Sequence, residues 1–203
     1  MAVAVLIREV GPTIRPSYRA QRWQKLVHAP FIRDDPARLD RDWDWLYRIP
    51  VLTFAVGAVR RPRIFQLSLA EDDFPLGMVA LLENERWPGD HDRAAVYVWY
   101  LTGAPNTAVT RCGDPRLLTT AALDIAVTVG LNGAATGRLW LHALPEGGDP
   151  LLRWYTAKGL ERVPANLTLP SALLIPREND GRYFKLTTRG AAEFSRGLDG
   201  YRT

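Results

Sequence analysis

The spacing of apolar and polar positions divides the chain into short strand-like runs and a few segments with helical spacing. Ala2 to Ile7 is a continuous apolar run that ends at a charged pair, so it predicts a first strand. The segment 37–48 follows Pro36 and predicts a helix, because four bulky residues recur there at helical spacing. These residues are Leu39, Trp43, Leu46 and Tyr47.

Three strands are predicted in the middle of the chain. Residues 64–70 and 78–83 are rich in bulky apolar side chains and flank 71–77, a segment with turn chemistry. Together they predict an antiparallel hairpin. Residues 94–101 are apolar on both faces, which is typical of a strand in the centre of a sheet.

The clearest helix is predicted over residues 115–130. Four apolar residues repeat there every three or four positions, with Asp114 as the expected N-cap and Pro115 in the first turn. They are Leu118, Ala122, Ile125 and Val129. A second helix is predicted to start at Asp149–Pro150 and to end at Gly159, since glycine accepts the left-handed backbone that ends many helices.

The remaining elements are short. Strands are predicted at 138–143, 160–163, 172–175 and 182–187, and a short helix at 190–198. Antiparallel strands come first along the chain, and the later strands alternate with helices. This order predicts an α+β (α/β layered) fold around one mixed sheet.

Composition and charge narrow the classes of function. The chain has 203 residues, of which 47% are apolar and 24% charged, as in an ordinary globular domain. The net charge of +4 is spread without a dense basic run, so nucleic acid is not an expected partner. A single cysteine excludes an intramolecular disulfide, and no run of about 20 apolar residues predicts a membrane span. The expected location is the cytoplasm.

Residues 151–161 carry a Trp-Tyr pair on the second predicted helix, followed by Lys158–Gly159 at its end. This stretch resembles the penultimate helix of the GNAT superfamily of acyl-CoA-dependent N-acyltransferases, and the order of predicted elements is similar to that fold. The resemblance in motifs is best over 64–163. It implies one GNAT-like domain over 1–203, with 164–203 as C-terminal strands and a short helix. The implied sheet is mixed, mostly antiparallel, central and flanked by helices.

The resemblance implies acetyl transfer from acetyl-CoA, or from another acyl-CoA, to an amine by direct attack. In this superfamily a tyrosine on that helix gives its proton to the leaving thiolate, and the matching position is Tyr155. A phenol keeps its proton at neutral pH and can therefore donate it. The resemblance also implies that the backbone of Trp99, Tyr100 and Leu101 contacts the cosubstrate.

The loop before the clearest helix departs from the superfamily pattern, in which glycines let backbone N–H groups converge on a pyrophosphate. Segment 110–116 keeps one glycine, and a proline removes one N–H donor. The resemblance implies that Arg111, Cys112, Gly113 and Arg116 contact the phosphates, with the two arginines compensating through their side chains. The same departure also fits a catalytically inactive GNAT-like module that serves only in binding or interaction.

The general base that would deprotonate the amine stays open between two residues. Glu83 lies near the end of the predicted strand 78–83, and His142 lies on the strand 138–143. Each also fits a structural role, Glu83 as a solvated strand end and His142 as a hydrogen-bonded core residue. The expected acceptor is a small-molecule or peptide amine, with no metal and no membrane involved. A homodimer is compatible with this prediction.

Overall fold

The computed structural model describes residues 4–10, 17–56, 62–108, 116–170 and 177–199. In chain order the elements are β1 (Val5–Glu9), α1 (Tyr18–Trp23), a π-helical segment (Gln24–Ile32), α2 (Trp45–Val56), β2 (Pro62–Leu69), β3 (Pro75–Trp87), β4 (Asp90–Gly103), α3 (Arg116–Leu131), β5 (Leu139–His142), a 3₁₀ turn (Pro145–Gly147), α4 (Gly148–Ala157), β6 (Glu161–Arg162), β7 (Tyr183–Leu186) and α5 (Thr188–Arg196). No helix in the described ranges is long and apolar enough to cross a membrane. The strand predicted at 172–175 and the helix-start signal at 114–115 lie outside the described residues.

Seven strands form one sheet in the order β1-β2-β3-β4-β5-β7-β6. Neighbours are antiparallel at β1–β2, β5–β7 and β6–β7, whereas β4 and β5 run parallel and are connected through α3. Residues 95–98 of β4, the middle strand, are buried, which confirms the predicted central strand. The predicted α+β fold, a mixed and mostly antiparallel sheet flanked by helices, is confirmed.

The chain divides into two compact units. The first comprises Met1–Gly57, Pro62–Ala80 and Tyr100–Leu123, and the second comprises Ala58–Arg61, Leu81–Trp99 and Asp124–Thr203. Strands β3 and β4 thus contribute residues to both units. Each unit is described below by itself, and a single domain over the whole chain stays a prediction.

In the first unit, α2 begins at Trp45, so the helix predicted over 37–48 is wrong at its start. Asp44 caps α2, because its carboxylate accepts a hydrogen bond from the Leu46 N–H at 2.9 Å. Trp43 and Trp45 are buried, and their rings lie edge-on to Tyr100 at centroid distances of 4.9 and 5.8 Å. This packing overrides the helical spacing of the preceding apolar residues.

Two helical segments of the first unit were not predicted by any sequence pattern. α1 starts after Ser17, whose hydroxyl accepts a hydrogen bond from the Ala20 N–H at 3.2 Å. The chain continues into the π-helical segment, where the Arg33 N–H donates to the His28 carbonyl at 2.9 Å. Pro30 lies inside that segment and argues against a helix on sequence grounds alone.

β2 and β3 are neighbours in the sheet and form the predicted hairpin. The Leu69 N–H donates to the Phe74 carbonyl at 2.9 Å across the turn, where Asp73 adopts a left-handed φ of 56°. Arg19 of α1 donates to the Asp73 carboxylate and to Gln66, both at 3.1 Å. Burial would raise the pKa of Asp73, but the hydrogen bond and charge of Arg19 outweigh it and the pKa is lowered. The Arg19–Asp73 ion pair therefore joins the turn to α1.

The later helices form where the sequence predicts them. All four predicted core positions of α3 are buried. α4 ends before Gly159, which has a φ of 83°, and the Leu160 N–H donates to the Tyr155 carbonyl at 3.2 Å. α5 is capped by Thr187, whose hydroxyl accepts a hydrogen bond from the Gly190 N–H at 3.2 Å. The predicted C-terminal helix is therefore confirmed.

Candidate active site

The parallel pairing of β4 and β5 in the second unit is short. Its register is Val96↔Leu139, Tyr97↔Trp140 and Val98↔Leu141. β5 remains joined to β7 beyond that point, through His142↔Tyr183 and a 3.0 Å hydrogen bond from the Ala143 N–H to the Arg182 carbonyl. β4 itself runs on to residue 103. Both strands therefore continue past the last residues that pair them, and the backbone of β4 beyond Val98 is where the cosubstrate contact was predicted.

His142, the last residue of β5, is held by two groups. Its Nε2 atom lies 2.9 Å from a carboxylate oxygen of Asp180, and its ring lies on Tyr183 with centroids 4.5 Å apart. The His142 side chain keeps 25% of its surface exposed. A histidine oriented by a carboxylate and open to solvent can take up a proton from a reacting group.

Asp180 was missed as a candidate site residue because 178–181 carries strong turn chemistry, which explains an aspartate without any function. Its second carboxylate oxygen accepts a hydrogen bond from the Arg182 N–H at 2.9 Å. Burial would raise the pKa of Asp180, but the hydrogen bonds and charges of His142 and Arg182 outweigh it, so the pKa is lowered. Asp180 is thus an anion beside the imidazole at neutral pH.

Tyr155 lies on α4 with 8% of its surface exposed. Its ring contacts Trp154 and Phe184, at centroid distances of 5.1 and 5.3 Å. Burial raises the pKa of Tyr155 to about 12. The hydroxyl therefore keeps its proton at neutral pH, which a proton donor requires.

His142 and Tyr155 lie on opposite faces of the sheet. His142 contacts Tyr183, whereas Tyr155 contacts Phe184, and these are consecutive residues of β7. Side chains of consecutive strand residues point to opposite faces. A group bound beside His142 at the end of β5 would thus have one candidate on each face of the sheet.

Glu83, the other candidate base, lies half-buried on β3. The next residue, Asn84, has a left-handed φ of 58°, which interrupts the regular alternation of the strand. Beyond it, Glu85 is fully buried and pairs with Arg177, whose Nη1 lies 3.2 Å from its carboxylate. The choice between Glu83 and His142 as the base stays a prediction.

A second group of residues that sequence reasoning missed surrounds Arg177. Its Cζ atom lies 4.1 Å from the ring centroid of Tyr97, 4.9 Å from that of Trp140 and 5.4 Å from that of Trp99. Burial raises the pKa of Tyr97, while the charge of Arg177 acts against it. We call Tyr97, Trp99, Trp140 and Glu85 the cation cage. No sequence motif marks it, because its members come from three strands.

The last part of β4 belongs to the first unit. Tyr100 accepts a hydrogen bond from Arg48 Nη1 at 2.8 Å, and Leu101 is half-buried. Arg38 Nη2 donates to the Gly103 carbonyl at 2.7 Å and forms a two-point ion pair with Asp40. The structure thus places the predicted backbone segment on a strand whose end is fixed by side chains.

The phosphate contacts predicted from the sequence stay a prediction. Arg111, Cys112 and Gly113 lie outside the described residues. Arg116 is the first residue of α3, but its side chain also lies outside them. Within the described ranges, no group of three His, Cys, Asp or Glu side chains is placed to hold a metal ion.

No protein-family model matches the chain, and no curated protein is significantly similar to it. Solved structures do resemble it. One is a chimera of the spermidine N-acetyltransferase SpeG from Vibrio cholerae and hSSAT, with a TM-score of 0.52 and 17% identity over 93% of this chain and 98% of that one. A second is a variant of the toxin AtaT, bound to the C-terminus of the antitoxin AtaR and to acetyl-CoA. Its TM-score is 0.51, and its sequence is 12% identical over 94% of this chain and 97% of that one. A third, a bacterial toxin, has a TM-score of 0.53 and 12% sequence identity over 94% of each chain.

Identities this low show the fold and leave the activity open. The three similar structures align over nearly the whole of both chains. The observed order of strands and helices along the chain, around one mixed sheet, agrees with the order on which the superfamily was named from the sequence. The chain therefore has the fold of the GNAT N-acyltransferases.

Proposed function

We propose that this protein transfers an acyl group, acetyl in the first instance, from acyl-CoA to an amine by direct attack. The observation that carries the proposal is the end of the β4–β5 pairing after Val98 and Leu141, with His142 and Asp180 hydrogen-bonded beside it. An extended ligand can bond along the edge of a strand as an added strand does. Two proteins of similar structure support this class of reaction, one named as an N-acetyltransferase and one bound to acetyl-CoA.

The reaction is a single transfer. The amine nitrogen attacks the thioester carbonyl carbon, an N–C bond forms, and the C–S bond breaks. The base takes one proton from the amine, and the leaving thiolate takes one proton from the acid. The products are an N-acyl amine and free coenzyme A, and solvent restores the two protonation states.

His142 is the base that the geometry favours. It lies beyond Leu141, the last residue of β5 that pairs with β4, it is partly exposed, and Asp180 fixes the orientation of its ring. Asp180 also stabilises the cation that forms when the imidazole takes a proton. Glu83 is the alternative base, acting directly or through water.

Tyr155 is the proposed acid. Its buried hydroxyl is protonated at neutral pH, and its contact with Phe184 places it on the face of the sheet opposite His142. Acid and base then act on the two sides of the acyl group, which keeps the proton taken from the amine apart from the proton given to the thiolate.

The cosubstrate is proposed to lie along the backbone of Trp99, Tyr100 and Leu101. Its phosphates are proposed to meet Arg111 and Arg116, with Cys112 and Gly113 contributing backbone N–H groups. The acceptor is a small-molecule or peptide amine, and the proposed location is the cytoplasm.

Binding of acetyl-CoA tests the proposal against a catalytically inactive module. A ligand at 100 times its Kd stabilises the folded state by about 2.7 kcal/mol, which raises Tm by roughly 5–11 °C for a chain of this size. We expect such a shift by differential scanning fluorimetry with acetyl-CoA. An unchanged Tm at millimolar acetyl-CoA contradicts the proposal.

Turnover is tested with Tyr155→Phe, by following free thiol release over a panel of amines. Only the hydroxyl is lost, so the ring keeps its packing against Phe184. We expect kcat to fall about 100-fold or more, with the Kd of acetyl-CoA unchanged. Tyr47→Phe, at a ring that is 69% exposed, is the matched control. Equal turnover in the two variants removes Tyr155 from the mechanism.

A further inference from the structure

The shape of the cation cage is set by strand pairing. Tyr97 and Trp140 are directly opposite on β4 and β5, with ring centroids 4.5 Å apart, and Trp99 lies edge-on to Tyr97 at 5.6 Å. Glu85 joins them from β3. Aromatic faces within about 6 Å attract a cation, and a carboxylate adds a full opposite charge. The cage therefore presents the chemistry of a cation-binding site.

The cation in the cage comes from outside the described strands and helices. Arg177 lies in the connection between β6 and β7, and its Nη1 also donates to the Pro170 carbonyl at 2.9 Å. The Arg177 side chain is 4% exposed, and that of Glu85 is 0% exposed. A carboxylate buried so completely requires a cation beside it or a proton on it.

Arg177 fits the cage incompletely. Its Nη1 has two acceptors, but its Nη2 is buried without an acceptor in the part of the chain that the structure describes. The same is true of Nε1 of Trp140. Buried donors are normally satisfied, and those that are not call for an explanation. A guanidinium has five donors in one plane, and Arg177 leaves some of them unused.

We propose that the cation cage is a binding site for the alkylguanidinium group of a small molecule, and that Arg177 fills it as an intramolecular competitor. A planar guanidinium stacks on aromatic faces and pairs with a carboxylate, which the cage offers together. A free ligand enters when the Arg177 side chain withdraws, so its apparent affinity falls with the fraction of molecules in which the cage is filled. The site does not depend on the proposed acyl transfer.

Calorimetric titration with propylguanidinium chloride, in the absence of acyl-CoA, tests the site. We expect Arg177→Ala to bind at least tenfold more tightly than the wild type, because the competitor is gone. Adding Glu85→Gln to that variant should weaken binding at least tenfold. Arg153→Ala, at an exposed arginine of α4, is the control for loss of one positive charge and should bind as the wild type does.

Propylurea, which has nearly the same shape and no charge, should not bind to Arg177→Ala. Equal affinity of the wild type and Arg177→Ala for propylguanidinium overturns the proposal. Binding of propylurea to Arg177→Ala with the same affinity as propylguanidinium also overturns it. Where Arg177→Ala does not fold unaided, it is refolded from urea with millimolar propylguanidinium. Recovery with that cation and not with propylurea supports the site, and recovery with neither overturns it.

Discussion

At the residue scale, the two proposed proton-transfer groups are prepared in different ways. Tyr155 is kept protonated by burial, which raises its pKa to about 12. His142 is instead oriented by a neighbouring anion, Asp180, at 2.9 Å. Sequence reasoning proposed Tyr155 from its motif and His142 from its residue type. It could not find Asp180, because the contact joins residues 38 positions apart.

Substitutions at His142 and Asp180 separate chemistry from positioning. We expect His142→Gln to lower kcat about 100-fold or more, since it removes the base. Asp180→Asn keeps the shape but not the charge and should lower kcat by a smaller factor, with the KM for acetyl-CoA unchanged in both. Glu83→Gln is the matched comparison on β3. Should Glu83→Gln abolish turnover while His142→Gln retains it, Glu83 is the base.

Asp180 also gives a prediction about acid unfolding. Its folded-state pKa is lowered, so its contribution to stability is present above its unfolded pKa of about 3.9 and is lost as the pH falls through the folded value. The difference in free energy of unfolding between the wild type and Asp180→Asn should shrink as the pH falls from about 5 to below about 4. Urea melts across this range measure it. Because the pair is partly exposed, 1 M salt should reduce the difference. A difference that grows between about pH 5 and pH 2 contradicts this assignment.

At the element scale, side chains from an earlier segment hold the last residues of β4 in the first unit. Arg38 bonds the Gly103 carbonyl and pairs with Asp40, and Thr102 donates to the Asp40 carboxylate. The strand itself was predictable from its apolar run. The contacts that hold its end were not predictable, because Arg38 and Asp40 lie more than 60 residues away in a segment wrongly predicted as helix.

Gly77 tests how closely β3 and β4 approach each other at this end. A Cβ atom at Gly77 would lie 3.0 Å from the Thr102 carbonyl oxygen, tighter than nine in ten real Cβ contacts, whereas one at Gly103 would find its nearest atom at an ordinary 3.5 Å. We expect Gly77→Ala to lower the free energy of unfolding by about 1–3 kcal/mol. Gly103→Ala, the control, should change it by about 0.5 kcal/mol or less. Chemical denaturation measures both, and equal effects would mean that the strands have room to part.

At the scale of the whole molecule, the order of elements was enough to predict the fold. The alternation of strands and helices from residue 62 onward gave the mixed sheet and, with the α4 motif, the superfamily. The N-terminal segments were harder to predict. Pro30 lies inside the π-helical segment, and packing of Trp43 and Trp45 on Tyr100 sets the start of α2. Local patterns cannot report such distant contacts.

Segment 110–116, the predicted phosphate loop, decides whether a chain with the GNAT fold also binds the cosubstrate of the proposed acyl transfer. S-acetyl-pantetheine carries the same thioester arm as acetyl-CoA without the pyrophosphate and the nucleotide, so the ratio of the two dissociation constants measures what that part of the cosubstrate contributes to binding. We expect acetyl-CoA to bind at least tenfold more tightly, because Arg111 and Arg116 pair with phosphate oxygens. The double variant Arg111→Ala/Arg116→Ala should bring the two constants together by weakening acetyl-CoA alone.

The control for loss of positive charge is Arg153→Ala, at an exposed position on α4, which should keep the wild-type ratio. Raising the salt concentration should reduce the preference for acetyl-CoA, because screening weakens charge pairing while leaving backbone hydrogen bonds along β4 largely unchanged. If the wild type binds the two ligands equally, the loop has lost its phosphate site and the arm along β4 alone holds the cosubstrate. Were neither ligand to bind, the protein would be a GNAT fold without acyl transfer.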